Sequence, residues 1–399
     1  MNHITTQENK SFHLYTYLLM LYYLIAPLED LITSKIGTFA KYIALIIVFM
    51  GIVEKGLSLS FSFSRANLCL IWLMILSVLS CVWAINVDVA LGRIPAYLMV
   101  PGICLFVGML NFSKKEYNAI VTSAILGGMI AVVYVFLTNG AELLLSGRMT
   151  LNERNDPNNL AALLLLPLGL SVGKLLNTTV KSSRTWAVFC IAAISFLFFL
   201  TGSRGGLLGV LAFFVTYLIL NKAYKKISIM FGAIVILAII WLVVLPMLPE
   251  DIYNRLFNDN FMGEGSTGSG RTLIWEVLFS EIIPKHSIIG VGAGCSPVAL
   301  SEFYGYLKGV HNTYFNMLAE YGILGLPAFI IMLYDKWKYQ YKSKHYVEAA
   351  LLVGICVIIF FLDSYAKKFF WNVIMLLVIN EAVSKAELSN SSKESLIVK

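Results

Sequence analysis

Apolar residues in this chain come in long blocks broken by short polar connections. Trp186–Leu200 and Ile227–Pro246 are typical, with almost no charge inside them. Such blocks approach the roughly 20 apolar residues that carry a helix across a bilayer core. Read along the chain, the pattern predicts about 12 spanning helices. They lie near 14–31, 37–53, 67–84, 94–111, 118–138, 159–176, 185–201, 205–221, 227–246, 313–334, 346–363 and 369–384. The blocks do not alternate polar with apolar, which excludes a β-barrel. The expected fold is an all-α, polytopic integral membrane protein. Residues 1–387 form a single multi-span domain, and 388–399, polar and Ser-rich, form a disordered cytoplasmic tail. Internal repeats and coiled-coil heptads are absent.

One connection is long, at about 247–312 between the ninth and tenth spans. Within it, residues 261–270 (FMGEGSTGSG) are flexible by composition. Residues 271–283 (RTLIWEVLFSEII) predict a helix stopped by Pro284. Trp275, Leu278 and Ile282 share one greasy face, with Glu276 and Glu281 turned away from it. Such a helix can lie in the membrane interface plane. Directly after the loop, His311–Pro327 turns apolar and places Gly322, Gly325 and Pro327 where a spanning helix would bend.

Composition agrees with a membrane protein: 58% of residues are hydrophobic and 13% charged. The net charge of +7 does not point to nucleic acid, because Lys and Arg sit in the connections, where they set orientation. Well over half of the 30 basic residues fall on one set of alternate connections, so both termini are expected in the cytoplasm. The first apolar block lacks a small-residue cleavage signature and reads as a retained anchor. Of the six cysteines only Cys295 lies in a loop, and no C-x-x-C occurs, so neither a zinc site nor a redox pair is indicated.

Three features then face outwards. The first is the 139–158 connection, with Arg148, Arg154 and Asp156-Pro157-Asn158. The others are the tight turn Thr201-Gly202-Ser203-Arg204-Gly205-Gly206 and the long loop ending at His311. Arg204 reads either as a snorkelling span-end arginine or, with the N–H groups of the next helix, as an anion site. Arg271 reads as a solvated loop residue or as a second such group. His311 precedes a helix that Asn312 or Thr313 can cap. The positive end of a helix dipole disfavours imidazolium, and a proton acceptor must be neutral. Alone, it reads equally as a hydrogen-bonded interfacial histidine. Glu320, about two turns into its span, reads as hydrogen-bonded to a neighbouring helix. Gly290-Val291-Gly292-Ala293-Gly294 lacks the spacing of a dinucleotide loop. No D-x-D or Walker loop appears. Two arginines and a histidine on one face suit glycan transfer from a lipid diphosphate: the arginines offset leaving-group charge and the histidine activates a hydroxyl.

These residues also resemble a known family. His311-Asn312, nine residues, Gly322, two residues, Gly325 is similar to the signature of the bacterial O-antigen ligases, a family that includes O-antigen polymerases. Ser203-Arg204-Gly205-Gly206, Gly270-Arg271 with Trp275, and Asp156-Pro157-Asn158 agree with it, as does the topology. The resemblance implies metal-independent, inverting transfer of a glycan from undecaprenyl diphosphate onto a glycan or lipid acceptor at the outer face of the bacterial plasma membrane. By the same resemblance Arg204 and Arg271 hold the diphosphate and His311 deprotonates the acceptor. Asn312, Ser203, Gly205, Gly322 and Gly325 support them. No metal and no cofactor is implied. Ligase and polymerase remain open alternatives. A rival class is a transporter or flippase of lipid-linked saccharide, which places ionisable residues and broken helices at the bilayer midplane.

Overall fold

Every expected span that falls on the described residues is a helix in the computed structural model, which describes residues 11–28, 39–56, 59, 61–139, 148–151, 156–222, 252–254 and 270–397. The helices are α1 (Leu14–Ile25), α2 (Phe39–Lys55), α3 (Arg65–Leu79), α4 (Val87–Val107), α5 (Lys114–Asn139), α6 (Pro157–Asn177), α7 (Lys181–Leu200) and α8 (Arg204–Leu220). They continue as α9 (Arg271–Val277), α10 (Ser296–Tyr304), α11 (Thr313–Lys342), α12 (Tyr346–Ile358) and α13 (Lys368–Ile397). The expected span at 227–246, Arg154, and the Gly/Ser-rich 261–269 lie outside the described residues. Seven helices are long and apolar enough to cross a bilayer, three shorter apolar ones accompany them, and no strand occurs among the described residues. The chain is an all-α polytopic membrane protein.

Polar residues at the block edges start the helices. Ser64, Asn86, Asp156, Ser203 and Asn312 each accept a hydrogen bond from a backbone N–H in the first turn of α3, α4, α6, α8 and α11. Each such cap is worth about 1 kcal/mol. The Asn86 cap starts α4 at Val87, seven residues before the apolar block suggests. Helix α11 runs past 334 because its charges find partners: Asp335 pairs with Arg65, and buried Lys336 pairs with Glu381 of α13 at 2.9 Å. Helix α12 ends at Ile358, and the chain leaves it as an irregular connection, 359–367. Helix α13 is helical to Ile397, past the residue where the sequence pattern ends the domain.

Helices α6 and α13 form the centre, with 72% and 78% of their apolar windows buried, against 22% for α4 at the periphery. The closest pairings are α8 with α12, α3 with α11, and α6 with α7. A second, smaller core lies at one end. Ile274, Leu278 and Ile282 pack there with Val291, Leu300, Val310 and Ala319, so α9, α10 and the start of α11 share one apolar centre.

The bend expected in α11 falls at Gly322, where φ is 60° and ψ −152°. That backbone conformation is essentially open only to glycine. The freed backbone groups are taken by the loop before α10: Ile323 N–H donates to Ser287 O at 2.9 Å, and Val291 N–H to Ala319 O at 2.8 Å. The Gly290–Gly294 run thus serves as a wedge seated on the broken helix.

Candidate active site

Arg204, Arg271 and His311 are held by different elements, and the packing explains the local sequence. The turn before α8 is shaped by Ser203, whose Oγ accepts from Gly206 N–H at 3.1 Å, and by Gly202 in the left-handed region at φ 57°. Arg148 buttresses it from behind. Its Nε donates to Thr201 O at 2.8 Å, and its Nη2 to Asn158 Oδ1 at 3.0 Å. Asn158 is steadied by Asp156, whose Oδ1 accepts from its Nδ2 at 2.8 Å and its N–H at 2.9 Å. The Asp156-Pro157-Asn158 feature is therefore a support for the turn. Arg204 projects from it with its side exposed.

Gly205 is a close-approach position. A Cβ there would stand 2.9 Å from Phe361 in the 359–367 connection. Helix α8 so packs against this connection, and Asp363 of the connection reaches His311. The Asp363 carboxylate accepts the His311 N–H at 2.9 Å through Oδ2 and the Asn312 N–H at 3.2 Å through Oδ1. The two bonds hold His311 at φ 55°, an uncommon conformation for a residue with a side chain. Thr313 stitches the same junction: its Oγ1 donates to Leu362 O at 2.6 Å and accepts from Ser364 N–H at 2.9 Å. Asn312 is the cap of α11, accepting from Phe315 N–H at 3.1 Å through Oδ1. Its Nδ2 is buried with no partner among the described residues.

Arg271 opens α9, directly after Gly270. One turn on, Trp275 donates from Nε1 to Val310 O at 2.9 Å, and its ring meets Phe315 and Phe360 edge-on at 5.2 and 5.8 Å. Trp275 is thus the strut that docks α9 beside His311. Of the expected apolar face Leu278 and Ile282 are buried and Trp275 is half-buried, and Ile274, outside that expected set, is buried with them. The last turn is wound as a π-helix over Leu278–Ile282, not as continuous α-helix. Burial pushes the Asp363 carboxyl up from its ordinary range, while the two amides and the charges of His311 and Arg271 pull it back. Arg271 and His311 therefore act on one and the same carboxylate.

The structure brings Arg204, Arg271, His311 and Asn312 to one end of the bundle, with Ser203 and Gly205 shaping the turn. Gly322 lies deeper, as the break itself. A Cβ at Gly325 would stand 2.3 Å from Tyr321 Cβ across that break. Asp363 is the residue the sequence pattern does not single out. Its one signal is being an acid at the very end of the 346–363 apolar block, on the face that the charge count turns outwards. Replacing Asp363 with asparagine sets an NH2 against one of the two backbone N–H groups. Turnover is expected to fall about 10- to 100-fold, since the loss of a charge-assisted bond costs ~1.5–3 kcal/mol, with donor affinity little changed. Steady-state kinetics on the purified variant checks the split.

Residues 188–330 match the family model described as O-antigen ligase. The matched segment runs from the body of α7 to the middle of α11 and contains Arg204, Arg271, His311, Gly322 and Gly325. No curated protein matches the chain.

Proposed function

We propose that this chain is a membrane glycan ligase or polymerase of the O-antigen ligase family, whose model matches residues 188–330, and that it transfers a glycan from undecaprenyl diphosphate to an acceptor hydroxyl, at the outer face of the bacterial plasma membrane and without a metal. The observation that carries this reading is the junction at Asp363. One carboxylate holds the backbone of His311, lies in the field of Arg271, and is two residues from the Phe361 ring on which Gly205 packs. His311, Arg271 and the turn that bears Arg204, distant in sequence, are each tied to that junction.

In this reaction His311 takes the proton of the acceptor hydroxyl while its oxygen forms a bond to the anomeric carbon. The bond from that carbon to the diphosphate oxygen breaks, with inversion. Arg204 and Arg271 offset the charge that gathers on the departing diphosphate. A lipid donor also needs somewhere to lay its tail. An almost wholly apolar groove of about 760 Å³ supports this, lined by Leu208 and Val215 of α8, Tyr314 and Trp337 of α11, Leu352 of α12 and Phe361 of the connection after it. It opens one turn along α8 from Arg204. Both termini then face the cytoplasm, in keeping with the lysine-rich connections at the other ends of these helices.

The test is product analysis with purified protein in lipid bilayers, supplied with labelled undecaprenyl-diphosphate-linked glycan with and without a lipid acceptor. Label on the acceptor identifies a ligase, and chain lengthening with donor alone identifies a polymerase. Movement of the label across the bilayer without a new glycosidic bond would overturn the reading in favour of a transporter.

A further inference from the structure

Glu320 is 1% exposed, two residues before the Gly322 break, and has no ion-pair partner among the described residues. Its Oε2 accepts from Tyr97 of α4 at 3.0 Å. Its Oε1 belongs to a triangle of three contacts. Ser296 Oγ touches Asn316 Oδ1, Ser296 Oγ lies 3.2 Å from Glu320 Oε1, and Asn316 Nδ2 lies 3.1 Å from Glu320 Oε1. Each edge needs one proton. The serine hydroxyl has one, and the asparagine amide brings one to the triangle. Turning the amide over exchanges which edges are served and leaves the count the same. A proton on Glu320 serves the third edge without dividing the serine's between two acceptors.

The surroundings agree. Tyr97 faces this carboxyl from α4, with Arg93 acting on Tyr97; the Gly294 backbone N–H donates to it, and Cys295 faces it from the head of α10, Tyr321 from α11 itself, and Asp363 and Tyr365 from the 359–367 connection. Asp363 opposes a second negative charge here, and a buried carboxylate without a paired cation is costly.

We propose that Glu320 works as a neutral, proton-donating carboxylic acid that positions the His311-bearing half of α11. The break at Gly322 ends the helical bonding of this half at its inner end. Glu320 replaces it with bonds to α10 through Ser296 and to α4 through Tyr97. It is a positioning residue for the proposed reaction, and only its kinetic consequence rests on that reading.

Glutamine supplies an acceptor and a donor in the same places, so Glu320→Gln is expected to keep turnover within about threefold of the wild type. Glu320→Ala strands Ser296, Asn316 and Tyr97, and is expected to lower turnover about tenfold or more with donor KM unchanged. Infrared difference spectra of the purified protein are expected to show the C=O stretch of a buried protonated carboxyl at neutral pH, lost in Glu320→Gln. Absence of that band from the wild type overturns the inference, as does a folded Glu320→Gln protein no more active than Glu320→Ala. The band does not depend on glycan transfer, so failure of the proposed reaction and failure of this inference are separately visible.

Discussion

Replacing His311 with alanine is expected to lower glycan transfer by about 10²- to 10⁴-fold, the range that a positioned general base contributes. The protein is expected to insert and fold as before. The cap of α11 is Asn312, not His311, and the bonds Asp363 makes here are to backbone N–H groups, which alanine retains. The His311 ring is half-exposed and belongs to neither apolar core. Yield, thermal unfolding in detergent and single-turnover transfer from a labelled lipid-linked donor separate the two effects. Undiminished product from a folded His311→Ala protein would remove this residue from the chemistry.

The arginines are expected to fail differently. Arg204→Ala is expected to abolish transfer, and Arg271→Lys to weaken donor binding about 10- to 100-fold, from the ~1.5–3 kcal/mol of a charge-assisted bond. Lysine keeps the charge but loses the planar fork that grips two phosphate oxygens at once. Arg271 begins a helix whose position is set by Trp275 and by the small core, so the substitution leaves its support in place. The decisive measurement is donor affinity, by titration of a fluorescent lipid diphosphate into each variant. Wild-type affinity in Arg271→Lys would show that this residue does not bind diphosphate directly. Arg204 and Arg271, on α8 and α9, are proposed to hold the same diphosphate, so their double variant is expected to show losses that do not simply add.

Much of this site is legible before any folding is considered. Arg204 follows a serine and precedes two glycines, a sequence suited to a tight turn into a helix, and Ser203 caps that helix. His311-Asn312 ends the long loop, and the asparagine caps the next span. Asp363 is different. Its role depends on where residues 359–367 go after α12 ends, and the apolar block at 346–363 hides that end. The π-helical turn at 278–282 is similarly invisible, because an apolar face at helical spacing does not distinguish i+4 from i+5 bonding. The Gly290–Gly294 run was legible only as what it is not. Its use as a wedge depends on a break in another helix.

By itself the sequence determined the class of protein, the expected spans with their connections, the helix caps and the residue types able to bind diphosphate and take a proton. These follow from local rules: the bilayer demands apolar runs, and backbone groups at helix starts demand caps. Only the tertiary structure decided that Asp363 holds His311, that Trp275 docks Arg271 beside it, and that Glu320 closes a triangle lacking one proton. Each of these is a contact between segments tens to hundreds of residues apart. Such a contact exists only once α8 lies on α12 and the small core has gathered α9, α10 and α11, and no local pattern encodes that outcome.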